Sequence, residues 1–116
     1  MLVGVTAGDN KEVAEHMANK ALNMRLWEKD GKSWAASVMD LNGEVMAVSQ
    51  FTLYGIMKGN KPDFHGAMDA EEAKNLYEYF VSVLKKKYVA ERVQTGKFQH
   101  LMEVGSVNNG PVTIQY

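Results

Sequence analysis

Residues 1–7 form a short, valine-containing apolar run that Gly8-Asp9 ends, a pattern that predicts a buried strand. A helix follows from near Asn10. Asp9 and Glu12 have the capping-box spacing, and Val13, Met17, Ala21 and Met24 recur at helical intervals. Arg25-Leu26-Trp27-Glu28 reads as a strand, with Asp30-Gly31 as a tight turn after it. Ser37–Asp40 is a candidate short strand, and Leu41-Asn42-Gly43 a second turn. Residues 44–53 give the clearest strand signal, with Val45, Met46, Ala47, Val48 and Phe51 as its apolar content.

The stretch 55–68 contains Gly, Pro and Lys and reads as a loop. A second helix begins after Asp69, which stands three residues before Glu72. Ala73, Leu76, Tyr77, Phe80 and Leu84 line one of its faces, and Lys85-Lys86-Lys87 close it where cations favour the macrodipole. The remainder predicts strands over 92–97, 102–107 and 112–116, with Asn108-Asn109-Gly110 as a turn before the last. Strands alternating with two helices, then strands alone, predict a layered mixed α/β domain. The first strand starts at the chain's first residues, so it is expected at a sheet edge or beneath a partner chain.

Composition narrows the function classes. At 116 residues, one domain is expected, and no linker or repeat divides it. A hydrophobic fraction of 46% fits a packed core. There is no cysteine, so disulfides and thiolate metal sites are excluded, and an intracellular, cytoplasmic protein is expected. No apolar run approaches the roughly 18 residues of a membrane span, and no signal peptide is evident. A net charge of −1 argues against wrapping a long nucleic acid and leaves room for gripping an RNA tip or a small ligand.

Familiar catalytic sets are missing. His16, His65 and His100 show no metal-binding spacing, and no cofactor or metal is expected. His16 reads as a surface residue on a polar helix face. There is no G-x-S-x-G elbow and no phosphate-binding glycine loop. Two segments stand out. Ser49-Gln50-Phe51-Thr52-Leu53 puts polar side chains at the end of an apolar strand. Asn109-Gly110-Pro111-Val112-Thr113 puts a Gly-Pro pair before the last strand. Taken alone, the first is an ordinary strand end and the second a turn chosen for Gly and Pro geometry.

Together and in this order they resemble the D-aminoacyl-tRNA deacylases, whose motifs are S-Q-F-T-L and N-G-P-V-T. Lys58-Gly59-Asn60-Lys61-Pro62-Asp63-Phe64-His65 resembles a stretch of the eukaryotic members. Leu22-Asn23-Met24-Arg25, Lys97-Phe98 and Met102 also fall where that family has similar residues. The resemblance runs the length of the chain. It implies a three-layer α/β/β fold, with two helices packed on a largely antiparallel sheet or barrel. The implied reaction is hydrolysis of the ester of a D-aminoacyl-tRNA, with glycyl-tRNA mischarged on tRNA-Ala as a further substrate.

The resemblance also implies roles. Main-chain N–H groups at Phe51 and Thr52 would face the scissile carbonyl, with the Thr52 hydroxyl as a positioning group. Ser49 and Gln50 would shape the pocket. Asn109, Gly110 and Pro111 would form a chirality filter that enters the active site of the partner in a homodimer; in the family its Gly-Pro bond is cis, and the sequence leaves the isomer here open. Phe64 and Met102 would line the pocket of the terminal adenosine, and Lys58, Lys61 and Lys97 would meet acceptor-stem phosphates. For Phe64 and Met102 core packing, and for the lysines plain solvation, remain equal alternatives. Two departures stand beside this. Gln99-His100 replaces a Gly-Ala of the family, and the β-hairpin with which the family normally begins is missing, so a shortened chain is expected. A non-catalytic binder of a tRNA or DNA end and a dimerisation module remain the rival readings.

Overall fold

The computed structural model describes all 116 residues. Its centre is a three-stranded sheet of β1 (Leu2–Val3), β4 (Val45–Ser49) and β7 (Val93–Thr95), in the order β1-β4-β7. Both pairings are parallel: Leu2 lies beside Val48, and Val45 beside Val93. The mixed α/β class stands, but the largely antiparallel sheet expected above is corrected. A helix separates each pair of central strands, and a crossover of that length returns the chain parallel. Antiparallel pairing occurs in two hairpins, β2 (Trp27–Lys29) with β3 (Lys32–Ala36) and β5 (Ile56–Lys58) with β6 (Lys61–Asp63), and in an isolated bridge between Thr6 and Ala67.

Both crossovers step the same way across the sheet. Right-handed connections then put both helices on one face, and α1 (Lys11–Asn23) does pack on α2 (Ala70–Lys87). The core lies between that helix pair and the sheet face carrying Val45, Ala47 and Val93. Ala14, Ala18 and Leu22 form the buried stripe of α1, one position away from the expected Val13, Met17 and Ala21. The small alanines let α1 approach α2 closely, while Met17 and Ala21 flank the contact and Val13 is exposed. On α2 the expected Ala73, Tyr77, Phe80 and Leu84 are buried, joined by Val81 and Val83. The Tyr77 hydroxyl donates to Ala47 O at 2.9 Å, tying helix to sheet, and burial pushes its pKa up.

Local chemistry sets the boundaries. Asn10, not Asp9, caps α1 by accepting from Val13 N–H, while the Asp9 carboxylate accepts from Thr6 N–H. Asp69 caps α2 through Glu71 N–H. Ser37–Asp40 is a turn rather than a strand, because Asp40 Oδ2 accepts from both the amide and the hydroxyl of Ser37. Those two bonds hold the Asp40 carboxyl below its usual range. The segment expected as a loop at 55–68 contains the β5–β6 hairpin, turned at Gly59 with φ +63°.

The strands expected over 102–107 and 112–116 are not formed. No backbone–backbone hydrogen bond involves a residue beyond His100, since no other strand of this chain lies alongside. This exposed segment ends on α1, where the Tyr116 hydroxyl lies 3.1 Å from His16 Nε2 and Lys20 Nζ stands over the Tyr116 ring.

Candidate active site

Beyond the carboxyl ends of the three central strands lies a cleft of about 810 Å³. That is where ligands bind in open α/β sheets. It is lined by Val5 after β1, Val48 and Ser49 at the end of β4 with Gln50 and Phe51 after it, and Lys97 to Met102 after β7, and it reaches Leu2 of β1. Ala70 and Ala73, from the first turns of α2, close one side, and Phe64 and Met68 another.

The strand expected to run to Leu53 stops at Ser49, and Phe51–Tyr54 wind into a 3₁₀ turn. The first hydrogen bond of that turn is Leu53 N–H to Gln50 O. The amides of Phe51 and Thr52 precede it, at the positions where a helical turn leaves N–H groups without internal acceptors, and no side chain caps them. Two successive main-chain donors therefore stand beside the cleft. Gln50 Nε2 donates to Thr52 Oγ1 at 2.5 Å, so the Thr52 hydroxyl is held although Thr52 itself lies just outside the lining.

Phe64 meets Phe51 edge-on, with ring centroids 5.0 Å apart and planes at 74°. The approach needs Gly55: a Cβ there would come within 2.7 Å of the Phe64 ring. Beside Phe64, Asp63 forms an ion pair with Lys58 and accepts from His65 N–H at 2.9 Å. The Lys58 ammonium and then the His65 contacts hold the Asp63 carboxyl down at about 2. Across the cleft, the Met102 side chain packs against Gly96, and the Phe98 ring lies tilted at 34° to Tyr77 with centroids 5.7 Å apart.

Of the residues expected at the site, Ser49, Gln50, Phe51, Phe64 and Met102 thus share one cleft, and Thr52 joins them through Gln50. Lys97 lines the cleft, whereas Lys58 and Lys61 lie on the outer side of Phe64. Gln99 and His100, the bulky pair at the family's Gly-Ala position, also line it, and His100 Nδ1 is 2.7 Å from Phe98 O. Asn109, Gly110 and Pro111 do not join: they are exposed and outside the lining. The isomer of the Gly110-Pro111 bond, which the sequence leaves open, is trans here, unlike the cis bond of the resembled family. Every peptide bond is trans, and Gly110 takes φ +79° in an open bend that no neighbouring strand constrains. Val5, Met68 and Ala73 were not expected at the site, because apolar residues that line a cleft carry the same pattern as those that fill a core.

Comparison with known proteins places the chain in a family. A family described as D-Tyr-tRNA(Tyr) deacylase matches residues 1–116. The D-aminoacyl-tRNA deacylase 1 of Bos taurus is 49% identical over 116 residues, covering 99% of this chain and 56% of that protein. The D-aminoacyl-tRNA deacylase of Drosophila melanogaster is 48% identical over 114 residues, covering 98% of this chain and 72% of that one. The chain thus spans little more than half the length of its mammalian relatives. Among solved structures, the c-Myc DNA Unwinding Element Binding Protein superposes with a TM-score of 0.92 at 47% identity, over 97% of this chain and 76% of that one. A probable eukaryotic D-amino acid tRNA deacylase, 14% identical, shares the fold with a TM-score of 0.69. On the full-length family match and these relatives, the chain belongs to the D-Tyr-tRNA(Tyr) deacylase family.

Proposed function

We propose that this chain hydrolyses the ester joining a D-amino acid, or glycine, to the terminal adenosine of a tRNA, as chirality proofreading in translation. The observation that carries the reading is the pair of uncapped amides at Phe51 and Thr52 beside a cleft lined by aromatic and apolar groups. An activated ester needs little more than donors aimed at the developing oxyanion and a placed water. The ester carbonyl oxygen accepts from the two amides, and water attacks the carbonyl carbon. The bond to the ribose oxygen breaks, and that oxygen takes the proton. The ribose 2′-hydroxyl of the substrate is the group to which the family resemblance gives the activation of the water.

Ser49 and Gln50 shape the pocket for the aminoacyl group, while Phe64 and Met102 offer apolar surface to the adenine. Lys97, at the cleft, suits a backbone phosphate on the 5′ side of that adenosine. Selection by hand of the amino acid requires rejection rather than affinity. In this reading the exposed Asn109-Gly110-Pro111 turn enters the cleft of a second copy, where its carbonyls leave no room for an L side chain. The exposed Leu2 and Met46 on the outer sheet face, and Val104, Val112 and Ile114 in the last segment, supply apolar surface for such a homodimer. The cytoplasm, where charged tRNA is used, is the compartment this reading assigns.

The test is release of amino acid from D-Tyr-tRNA with L-Tyr-tRNA as control. Hydrolysis of the D form alone is expected; equal hydrolysis of both, or of neither, overturns the reading. The name of the c-Myc DNA Unwinding Element Binding Protein favours one alternative, a module that grips a nucleic-acid end without turnover. That alternative predicts salt-sensitive binding of DNA or tRNA and no release of amino acid.

A further inference from the structure

Three contacts from two segments converge on the Asp63 carboxylate, whose side chain is 20% exposed. Lys58, the last residue of β5, forms an ion pair with Oδ2. His65, just beyond β6, donates its amide to Oδ1 at 2.9 Å and brings Nδ1 to 2.8 Å from the same oxygen. Phe64 lies between the two anchored residues. Its backbone is therefore fixed on both sides, and its ring sits edge-on to Phe51 and against Gly55. On its far side is a second hollow of about 400 Å³, formed with Lys58, Lys61, Pro62 and Asp63. Phe64 lines both this hollow and the cleft.

We infer that Asp63 is a positioning residue of the cleft, which latches Phe64 against Phe51 and so fixes the wall that receives the terminal base of the substrate. The inference deepens the proposed function and rests on it for the identity of that base. Asp63 itself touches no substrate; its effect is exerted through the Phe64 ring. A carboxylate that only stapled the β5–β6 hairpin would change stability without a selective effect on substrate binding.

The experiment uses the full chain and the variants Asp63→Ala, Phe64→Ala and the double variant. Ring–ring NOEs between Phe51 and Phe64 are expected in the wild type and lost in Asp63→Ala. With D-Tyr-tRNA, Asp63→Ala is expected to raise KM about 10-fold with kcat within about 2-fold, since misplacing a binding wall weakens binding first. In the Phe64→Ala background the same change is expected to add less than about 2-fold, because the two residues act as one unit. Should Asp63→Ala fail to fold, Asp63→Asn removes the ion pair while keeping an acceptor, and an intermediate KM is expected. NOEs that persist in the Asp63 variants, or a defect undiminished in the Phe64→Ala background, overturn the inference. If the wild type hydrolyses nothing, the functional reading fails, and the NOEs alone still decide the role of Asp63.

Discussion

Gln50 Nε2 donates a hydrogen bond to Thr52 Oγ1 at 2.5 Å. The bond occupies an acceptor site of the hydroxyl and leaves its proton free to point elsewhere. A threonine so held can donate to a bound carbonyl but has no base within this contact to make it a nucleophile. The proposed chemistry accordingly rests on the main chain. Thr52→Val is expected to lower kcat/KM by no more than about 10-fold, against the 10² to 10³-fold typical of removing an oxyanion donor. Steady-state hydrolysis of D-Tyr-tRNA measures it. A loss beyond about 10⁴-fold, or trapping of an acyl-enzyme, would assign the attack to Thr52 instead.

The tie between helix and sheet makes a stability prediction. Tyr77→Phe removes the hydroxyl that donates to Ala47 O, but that carbonyl keeps the Gly96 N–H at 3.3 Å. Neither partner is stranded, so the cost is that of one net hydrogen bond, about 1 kcal/mol. In urea unfolding the midpoint should fall while the slope stays constant. A loss of 3 kcal/mol or more, on the order of that from stranding a buried polar group, would mean that Gly96 does not replace the hydroxyl.

Asp63 and Asp40 set the acid behaviour. Both carboxyls are held down, Asp63 from 3.8 to about 2 chiefly by Lys58, and Asp40 chiefly by the Ser37 amide and hydroxyl. A group whose folded pKa is depressed contributes its stability above the unfolded value and loses it as pH falls through the folded one. The Asp63 contribution should therefore be complete above about pH 4 and fade toward pH 2. Amide NMR across that range should show His65 N–H titrating near pH 2, and Asp63→Asn should abolish the transition. A midpoint at the ordinary carboxylate value would mean that the Lys58 pair is not populated in solution.

How much of this was legible in the residues alone follows from where each signal is local. The two helices were legible because their apolar stripes repeat over several turns, and the stripe of α1 was misplaced by one position only because alanine, not valine, makes the close contact. The cleft was partly legible: polar Ser49 and Gln50 at the end of an apolar strand marked the site, and Phe64 and Met102 came with the family resemblance. Pairing direction was not. Strands as short as Leu2–Val3 and Val93–Thr95 carry no parallel signature, and their partners lie over forty positions away. The last segment reads as two strands because its apolar positions alternate, yet strand formation needs a neighbour that propensity cannot supply. The 3₁₀ turn at Phe51–Tyr54 overlaps the end of the clearest strand signal, and its Tyr54 ring packs close to Gly4, a contact between residues distant in the sequence that local composition does not reveal.

Gly55 offers the sharpest probe of the cleft wall. Its φ of −70° and ψ of 134° suit any residue, so an alanine there carries no backbone strain. What it meets is the Phe64 ring, at 2.7 and 3.0 Å from the added Cβ, and Thr52 O at 3.0 Å. The ring is the movable partner of these, and its displacement carries it away from Phe51. Gly55→Ala is therefore expected to cost about 1 kcal/mol in stability, at the low end of overpacking effects. It should also raise KM for D-Tyr-tRNA by about 10-fold with little change in kcat, because the amides of Phe51 and Thr52, proposed as oxyanion donors, stay in place. Parallel urea unfolding and kinetics separate the two effects. A fall in kcat at constant KM would show instead that the alanine pushes on Thr52 O and distorts the donor turn, and that the wall at Phe64 yields without consequence.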